Sequence, residues 1–320
     1  MTTQADRIAA AGTASALPAL DRRALGRRLS MLANASTGEV LAIDEHSSAY
    51  RPSASRIGLT GSPGAGKSTL GGRLAVLRSL QRRVGLLAID PSSPITGGAI
   101  LGDRIRMDDL AGVERLYVRS IASRTSSDGL APNISELLVA MDAAGFEEIV
   151  LETVGVGQVE HAVRHQVDTA VLVLVPGAGD YVQAMKAGMM EMADIFVVNK
   201  SDLPGADQLV TEIKGVLHAF PPVSDWSPPI VRTSASDASS VAELSATIDR
   251  HKAWLHARGS AAERQLQRQR YRLRSLLERQ LAERISALEH VFFQASLRQQ
   301  AQALALDLQT AFAPPPPPSP

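Results

Sequence analysis

The chain has 320 residues, enough for one sizeable domain with appendages, and its 33 Lys and Arg residues balance 33 Asp and Glu residues. A net charge of zero argues against a broad nucleic-acid or anionic-membrane surface, and no apolar run is long enough to span a bilayer. We therefore expect a protein that binds neither nucleic acid nor membrane. The absence of cysteine excludes disulfides and thiolate metal sites and suits a reducing compartment, so we also expect the protein to be cytoplasmic.

Residues 1–54 alternate helical patches with looser sequence, which predicts a helical N-terminal extension. From 55 to 255, apolar runs alternate with amphipathic segments, which predicts an α/β domain with a mostly parallel sheet between helices. The predicted strands are RIGLT, VGLLAID, RLYVRS, EEIVLET, TAVLVLV, DIFVVNK and PIVRTSA. Several of them end in a polar residue, at the edge of the sheet where a ligand crevice opens.

The first strand leads into GLTGSPGAGKSTL, residues 58–70, which fits the phosphate-binding pattern G-x-x-x-x-G-K-[ST]. The backbone N–H groups of such a loop wrap a polyphosphate, and the following helix adds its positive end. The predicted phosphate-binding residues are Gly61, Gly64, Ala65, Gly66, Lys67, Ser68 and Thr69. We expect Lys67 to reach the terminal phosphates as a catalytic group, and the Ser68 hydroxyl to ligate Mg²⁺.

Carboxylates that suit the Mg²⁺ shell follow along the chain. Asp90 ends the second strand, and Asp103 lies in a glycine-rich loop, where the alternative is an exposed loop or cap residue. The run LETVGVGQ resembles the γ-phosphate sensor D-x-x-G, with Glu152 in place of the aspartate and Gly155 as the glycine. We expect the Gly155 N–H to grip the γ-phosphate, while Glu152 either holds Mg²⁺ through water or orients the attacking water.

The run VVNKSD places Asn199, Lys200 and Asp202 in the pattern N-K-x-D after an apolar strand. A carboxylate there accepts both the N1–H and the 2-amino protons of guanine. Adenine offers neither donor in that arrangement and would leave Asp202 unpaired, which predicts guanine specificity. The next strand ends in T-S-A, where Ser234 and Ala235 can offer a backbone N–H to guanine O6.

Residues 256–312 form a long helical pattern with Arg and Glu between regularly spaced apolar residues. The apolar stripe consists of Leu266, Leu273, Leu277, Leu281, Ile285, Leu288 and Phe292. Such a stripe is typical either of a helix packed on its own domain or of a helical arm that joins two subunits, and its length favours the arm. The proline-rich residues 313–320 are expected to be a disordered tail.

Taken together, GSPGAGKST, AIDPSSP followed by TGGAILGDRIRM, ETVGVGQ, PGAGD with QAMKAG, and NKSD resemble the MeaB/ArgK group of P-loop GTPases. That group consists of chaperones of adenosylcobalamin-dependent acyl-CoA mutases, methylmalonyl-CoA mutase above all. The resemblance covers nearly the whole chain, including the helical extensions at both ends.

The resemblance implies a Mg²⁺-dependent enzyme with GTP as substrate and GDP as product, and with no tightly bound organic cofactor of its own. It also implies a homodimer through the C-terminal helices and a role in loading, protecting and reactivating the cobalamin of a partner mutase. A further switch, GDYVQAMKAG, would respond to that partner. In it, Asp180 and Lys186 are candidates to move toward the nucleotide, with Lys186 stabilising charge on the transferred phosphoryl group. The alternative for Lys186 is an ordinary solvated lysine.

Three other functions remain open. A nickel- or zinc-inserting GTPase usually carries Cys or His clusters, whereas this chain has no Cys and seven scattered His. A transport-linked kinase, as in the older ArgK naming, needs ATP and an acceptor site, and N-K-x-D argues against ATP. A nucleotide-binding scaffold, in which hydrolysis is incidental, is also compatible with the motifs.

Overall fold

The structure, a computed structural model, describes residues 19–45, 53–90, 113–123, 130–153, 159–177, 193–220 and 224–312. Across these residues, no helix combines the length and apolar content that crossing a membrane requires. The strands are β1 (Ser55–Gly61), β2 (Val84–Asp90), β3 (Leu116–Ala122), β4 (Glu148–Glu152), β5 (Thr169–Leu174), β6 (Ile195–Asn199) and β7 (Ile230–Thr233). They form one seven-stranded sheet in the order β3-β2-β4-β1-β5-β6-β7. Every pairing between these strands is parallel, so the predicted α/β class and all the predicted strands are confirmed.

Helices connect and flank these strands. They are α1 (Arg22–Asn34), α2 (Thr37–Glu45), α3 (Lys67–Ser79), α4 (Ile134–Ala143), α5 (Val159–Arg164), α6 (Ala206–Ala219), α7 (Ala238–Ala257), α8 (Ala261–Ser286) and α9 (Leu297–Ala311). A short 3-10 helix, His290–Gln294, lies between α8 and α9.

Both faces of the sheet are buried, because successive side chains of one strand enter different cores. In β2, Leu87 packs in a core with α1, α4 and α5, whereas Leu86 packs in a second core with α3 and α7. A third core lies between β5, β6 and α6, with Phe196 and Ile213 at its centre. The continuous apolar run IFVVN of β6 therefore suits a parallel strand that is covered on both faces.

Part of the predicted N-terminal extension, up to residue 45, is helical where the structure describes it. α1 packs on α4, and the amide of Asn133, just before α4, donates to the carbonyl oxygens of Leu32 (2.7 Å) and Ala35 (2.9 Å). Residues 1–18 and 46–52 lie outside the described residues, and the boundary at residue 54 stays a prediction.

The predicted helical C-terminal region is present, but it is not one continuous helix. α8 ends at Ser286, and a new helix begins after Ser296, whose hydroxyl and backbone form a capping box with Gln299. Leu288 and Phe292 therefore lie in the break between two helices and do not extend the stripe of α8. The sequence periodicity predicted the helical content of this region, but it did not reveal the capping box at Ser296 that begins a second helix.

Candidate functional site

The phosphate loop leaves β1 at the carboxyl edge of the sheet and enters α3 at Lys67. Gly66 caps α3 with a positive φ of 81°. A Cβ at that position would lie 2.6 Å from the amide nitrogen of Asn199. Only glycine fits both conditions, which explains why this loop can come so close to the turn that follows β6.

Lys67 lies inside this loop with only 7% of its surface exposed. Its ammonium donates to the carbonyl oxygens of Gly61 (2.7 Å) and Ser62 (2.8 Å). These two bonds hold the ammonium against the backbone of the loop. The predicted role of Lys67 requires a positive charge at this loop, beside the terminal phosphates. Thr69 is exposed two residues further along α3, and Gly64 and Ala65 complete the loop.

Three of the four predicted Mg²⁺ ligands, Ser68, Asp90 and Glu152, lie on neighbouring elements. β4 lies between β2 and β1 in the sheet, so Glu152 at the end of β4 lies beside Asp90 at the end of β2 and beside the phosphate loop. The Ser68 hydroxyl donates a hydrogen bond to Glu152 Oε1. Both carboxylates are buried, with exposures of 6% for Asp90 and 4% for Glu152. One hydroxyl and two carboxylates at one edge are oxygen donors of the kind that Mg²⁺ selects, so the residues present fit the ion.

The base-side turn follows β6 and is hydrogen-bonded to the phosphate loop. The Asn199 amide donates to the Ala65 carbonyl oxygen at 2.7 Å, and the Lys200 ammonium donates to the Gly64 carbonyl oxygen at 3.0 Å. Lys200 has a positive φ of 53°, which is uncommon for a residue other than glycine and marks a sharply formed turn. Asn199 and Lys200 thus connect the turn after β6 to the phosphate loop.

Asp202 is exposed at the end of this turn, and Ser234 holds its carboxylate. The Ser234 hydroxyl donates to Asp202 Oδ1 at 2.5 Å. This hydrogen bond is the main reason why the pKa of Asp202 lies below its ordinary value of 3.8. Asp202 is consequently ionised at neutral pH and accepts hydrogen bonds only, which is the state that the N1–H and 2-amino donors of guanine require.

The two candidate donors to guanine O6, Ser234 and Ala235, differ in the hydrogen bonds of their backbone N–H groups. The Ser234 N–H donates to the Ser240 hydroxyl at 3.3 Å, so it is already engaged within the protein. The Ala235 N–H has no acceptor among the described residues, and Ala235 is exposed. Of the two candidates for guanine O6, the geometry therefore favours the N–H of Ala235.

Sequence reasoning missed two residues that support this side of the site. Ser240 fixes the Ser234 backbone, and Arg73 on α3 donates through Nη1 to the Ala235 carbonyl oxygen at 2.5 Å. Ser240 follows Asp237, which caps α7 through the Ser239 N–H, and this capping pattern was a usable signal. No sequence pattern indicated the contact of Arg73, because an arginine in the middle of a surface helix usually faces solvent.

Three predicted site residues lie outside the described residues: Asp103, Gly155 and Lys186. Asp180, the other candidate in the switch that contains Lys186, lies there too. Their predicted roles stay predictions.

A family model described as "Methylmalonyl Co-A mutase-associated GTPase MeaB" matches residues 33–290 of the chain. A relative from Pyrococcus horikoshii that is named a GTPase is 38% identical over 273 residues, which cover 83% of this chain and 85% of that protein. A Mus musculus protein named methylmalonic aciduria type A homolog, mitochondrial, is 35% identical over 256 residues, covering 78% of this chain and 60% of that protein.

Among solved structures, a crystal structure of LAO/AO transport system kinase superposes with a TM-score of 0.63 at 25% sequence identity, covering 90% of this chain and 94% of that one. The family model spans more than half of the chain and includes the phosphate loop, the carboxylate-bearing strand ends and the N-K-x-D turn. This chain belongs to the MeaB family of P-loop GTPases, and it is an enzyme that hydrolyses GTP.

Proposed function

We propose that this GTPase is a cytoplasmic chaperone of an adenosylcobalamin-dependent acyl-CoA mutase of the methylmalonyl-CoA mutase type, and that it gates cobalamin loading, protection and reactivation. The description of the family and the name of the mouse relative support the identity of the partner. The observation that carries the mechanism is the hydrogen bond from Ser68 to Glu152. It joins the phosphate loop to the strand end from which the predicted γ-phosphate sensor begins.

In the hydrolytic step, water attacks the γ-phosphorus and the bond to the β–γ bridging oxygen breaks, which yields GDP and phosphate. Lys67 would hold the terminal phosphates, and Ser68, Asp90 and Glu152 would hold Mg²⁺, with Asp103 as a further predicted ligand. When bound, the ion supplies positive charge to the phosphate oxygens. Loss of the γ-phosphate would release the sensor residues after Glu152, and the change would pass to the surface that the mutase contacts.

The partner-responsive element in this proposal is residues 179–188, which contain Lys186. Lys186 would approach the phosphoryl group only when the mutase is bound, as an arginine finger does in other GTPases. Hydrolysis by the chain alone should therefore be slow, and the mutase should accelerate it.

We also propose a homodimer through the C-terminal helices. One face of α8 bonds to the body of its own chain, as Arg268 does to Asp168 (2.6 Å) and Arg272 to Glu136 (2.8 Å). The apolar stripe of the same helix remains exposed, with 61% of Leu273 and 43% of Leu277 accessible. An exposed leucine stripe on a long helix is typical of a helix–helix interface, and a second copy of α8 would match its spacing.

The test is phosphate release from GTP and from ATP, with and without a purified adenosylcobalamin-dependent mutase, alongside the absorbance of cobalamin transferred to the apo-mutase. We expect turnover of GTP, little turnover of ATP, and a faster rate with nucleotide-controlled cofactor transfer when the mutase is present. A GTP-specific rate that the mutase does not change would contradict the partner while leaving the GTPase intact. Turnover of ATP with transfer of phosphate to an acceptor would instead favour the transport-linked kinase.

The role of Lys186 is tested in the same assay with Lys186→Ala. We expect GDP binding to persist and the mutase-stimulated rate to fall, because the mutation removes the predicted charge without touching the base site. Lys214→Ala, an exposed lysine on α6, is the matched control and should keep full stimulation. Full stimulation of both variants would return Lys186 to the role of a solvated surface lysine.

A further inference from the structure

The turn of residues 234–237 contains the Ala235 N–H, the favoured donor to guanine O6, and both ends of this turn are held by hydrogen bonds. The Asp237 N–H donates to the Ser234 carbonyl oxygen at 3.3 Å, and the Ser234 N–H donates to the Ser240 hydroxyl at 3.3 Å. The hydroxyl of the buried Ser240 donates in turn to the Asp237 carbonyl oxygen at 2.6 Å. The ends of the turn are therefore anchored to β7 and to the start of α7.

The tip of the same turn is exposed and depends on a more distant contact. Ala235 and Ser236 both lie at the surface. Among the residues that the structure describes, the Ala235 carbonyl oxygen accepts one hydrogen bond, from Arg73 Nη1 at 2.5 Å. The Ala235 N–H has no acceptor in the same set of residues, so it is open to a ligand.

Arg73 belongs to α3, the helix that begins at Lys67 in the phosphate loop. Its guanidinium reaches the turn across 162 positions of sequence, and it thereby joins the phosphate-binding helix to the base side of the site. Within the described ranges of the chain, Arg73 forms no ion pair with a carboxylate. Its positive charge consequently stays beside the backbone of Ala235.

The bond from Arg73 acts on the position of the turn more than on the stability of the fold. Water competes for an exposed guanidinium and for an exposed carbonyl oxygen, so one such bond adds little to the free energy of unfolding. With its ends anchored and its tip tied to α3, however, the turn holds the Ala235 N–H at one distance from the phosphate loop. A donor that is already fixed binds a ligand more tightly than a mobile one, because less conformational freedom is lost on binding.

The two common purines differ at the position that this donor would meet. Guanine carries the acceptor O6 there, whereas adenine carries an amino group that donates. A positive charge beside the turn stabilises the partly negative oxygen and repels the amino protons. Because Asp202 is expected to accept from the N1–H and 2-amino groups, position 6 is contacted by a separate part of the site.

We propose that Arg73 is a positioning residue that determines specificity for 6-oxopurine nucleotides. It holds the Ala235 N–H where it donates to O6, and its charge disfavours a purine with a 6-amino group. Arg73 acts through Ala235 and takes no part in the hydrolytic step. The inference rests on the guanine site described above and does not depend on the identity of the mutase partner.

The test is calorimetric titration of the full chain, in the presence of Mg²⁺, with nucleotides that change one group at a time. GDP is the reference, 6-thio-GDP replaces O6 with sulfur, which is a weaker acceptor, and IDP lacks the 2-amino group. At neutral pH all three keep the N1 proton. The ratio of dissociation constants for 6-thio-GDP and GDP therefore measures the contact at position 6, and the ratio for IDP and GDP measures the contact at position 2.

Arg73→Met removes the charge and the donors while keeping a long, unbranched side chain. We expect GDP to bind about three- to tenfold more weakly, with little change for 6-thio-GDP, so the ratio for position 6 falls by that factor. The preference for GDP over ADP should fall as well, whereas the ratio for position 2 should stay at the wild-type value. Arg73→Lys keeps a charge and a donor and should recover part of the lost ratio.

Arg232→Met is the matched control. Arg232 lies on β7 just before the turn, its side chain is 48% exposed, and it pairs with Asp207 at 2.6 Å. This variant also removes an exposed arginine near the site, but it leaves the contact between α3 and the turn intact. It should bind all three nucleotides as the wild type does. Circular dichroism melts confirm that each variant is folded before it is titrated.

Three results would overturn the proposal. An unchanged ratio for position 6 in Arg73→Met would show that Arg73 does not position the donor to O6. An equal loss of affinity for GDP, 6-thio-GDP and IDP would show a general structural role instead. A wild-type chain that binds 6-thio-GDP as tightly as GDP, while still preferring GDP to IDP and ADP, would remove the contact at O6 and leave the guanine site at Asp202 standing.

Discussion

The amide nitrogen of Asn199 lies 2.7 Å from the carbonyl oxygen of Ala65 and donates a hydrogen bond to it. The same amide accepts from the Thr233 hydroxyl through its oxygen at 2.9 Å. One buried side chain thus connects the phosphate loop, the turn after β6 and the end of β7. A change at Asn199 is therefore expected to affect the phosphate loop and the turn after β6 together.

The first prediction follows from this connection. Asn199→Ala removes a donor to Ala65 and an acceptor for Thr233, and should lower the free energy of unfolding by about 1–3 kcal/mol. It should also weaken GDP binding about tenfold, because the loop and the turn lose their common anchor. Urea denaturation and calorimetry measure the two effects.

Asn34→Ala is the matched control, since Asn34 is exposed and its amide donates to a carbonyl oxygen one turn back in α1, that of Ser30. It should change neither quantity appreciably. A variant of Asn199 that binds GDP as tightly as the wild type would show that the two parts of the site are independent.

The second prediction concerns Glu152, which accepts from Ser68 and ends β4. Glu152→Gln keeps the shape but removes the negative charge. We expect kcat for GTP to fall by roughly 10²-fold, while GDP binding changes little, because the charge acts on the Mg²⁺ and water side of the site. Single-turnover hydrolysis at several Mg²⁺ concentrations measures this.

Glu243→Gln, on the exposed face of α7, is the control for loss of a carboxylate and should keep the wild-type rate. An unchanged rate for Glu152→Gln, with an unchanged requirement for Mg²⁺, would remove Glu152 from the metal and water shell.

The third prediction is a pH dependence from His251. This residue is 1% exposed, packs against both Trp226 and Trp254, and shares a hydrogen bond of 2.9 Å with the Thr169 hydroxyl through Nδ1. Burial lowers the pKa of His251 below its ordinary 6.5, although the nearby Asp194 carboxylate acts in the opposite direction. The folded chain therefore keeps this imidazole neutral where the unfolded chain protonates it.

Between the lowered pKa and 6.5, the unfolded state binds more protons than the folded state, so the free energy of unfolding falls as pH falls through 6.5. The contribution of one such group is at most about 1.4 kcal/mol per pH unit. Urea denaturation between neutral and mildly acidic pH should show a shallower slope for His251→Phe than for the wild type. His218→Gln, at an exposed histidine of α6, should retain the wild-type slope, and equal slopes in all three proteins would refute the assignment.

The fourth prediction concerns the exposed stripe of α8. Leu273→Glu together with Leu277→Glu places charge on residues that are 61% and 43% exposed, so the monomer should stay folded. If the stripe forms the homodimer, the double variant should sediment as a monomer where the wild type sediments as a dimer. Leu80→Glu, at a 70% exposed leucine after α3, controls for surface charge. A wild-type chain that sediments as a monomer at micromolar concentration would contradict the proposed dimer.

The sheet could be predicted because each strand is an apolar run of the length that a doubly covered parallel strand needs. The grouping of Ser68, Asp90, Glu152 and Asn199 could be predicted too, since all follow or end strands whose carboxyl ends share one edge. Topology alone places such residues together, without knowledge of any side-chain contact.

Other features could not be predicted. Arg73 reaches Ala235 across 162 positions of sequence, and nothing in the local pattern distinguishes it from a solvated helix residue. The cavity of about 460 Å³ between the start of β1 and α8 is lined by Arg56, Gln166, Lys252 and Arg268 from distant segments, so no single motif contains it. The end of α8 at Ser286 could not be predicted, because the apolar residues at 288 and 292 continue the helical spacing beyond it.

The central claim is that Asp202, whose carboxylate is oriented by the Ser234 hydroxyl, makes this P-loop enzyme specific for guanine nucleotides. Calorimetry of the purified chain with GDP and with ADP in the presence of Mg²⁺ tests it most directly, with Asp202→Asn as the altered site and Asp207→Asn, 89% exposed on α6, as the control. We predict that GDP binds the wild type and the control at least about 10²-fold more tightly than ADP does, and that Asp202→Asn loses this preference. Equal affinities of the wild-type chain for GDP and ADP would contradict the account.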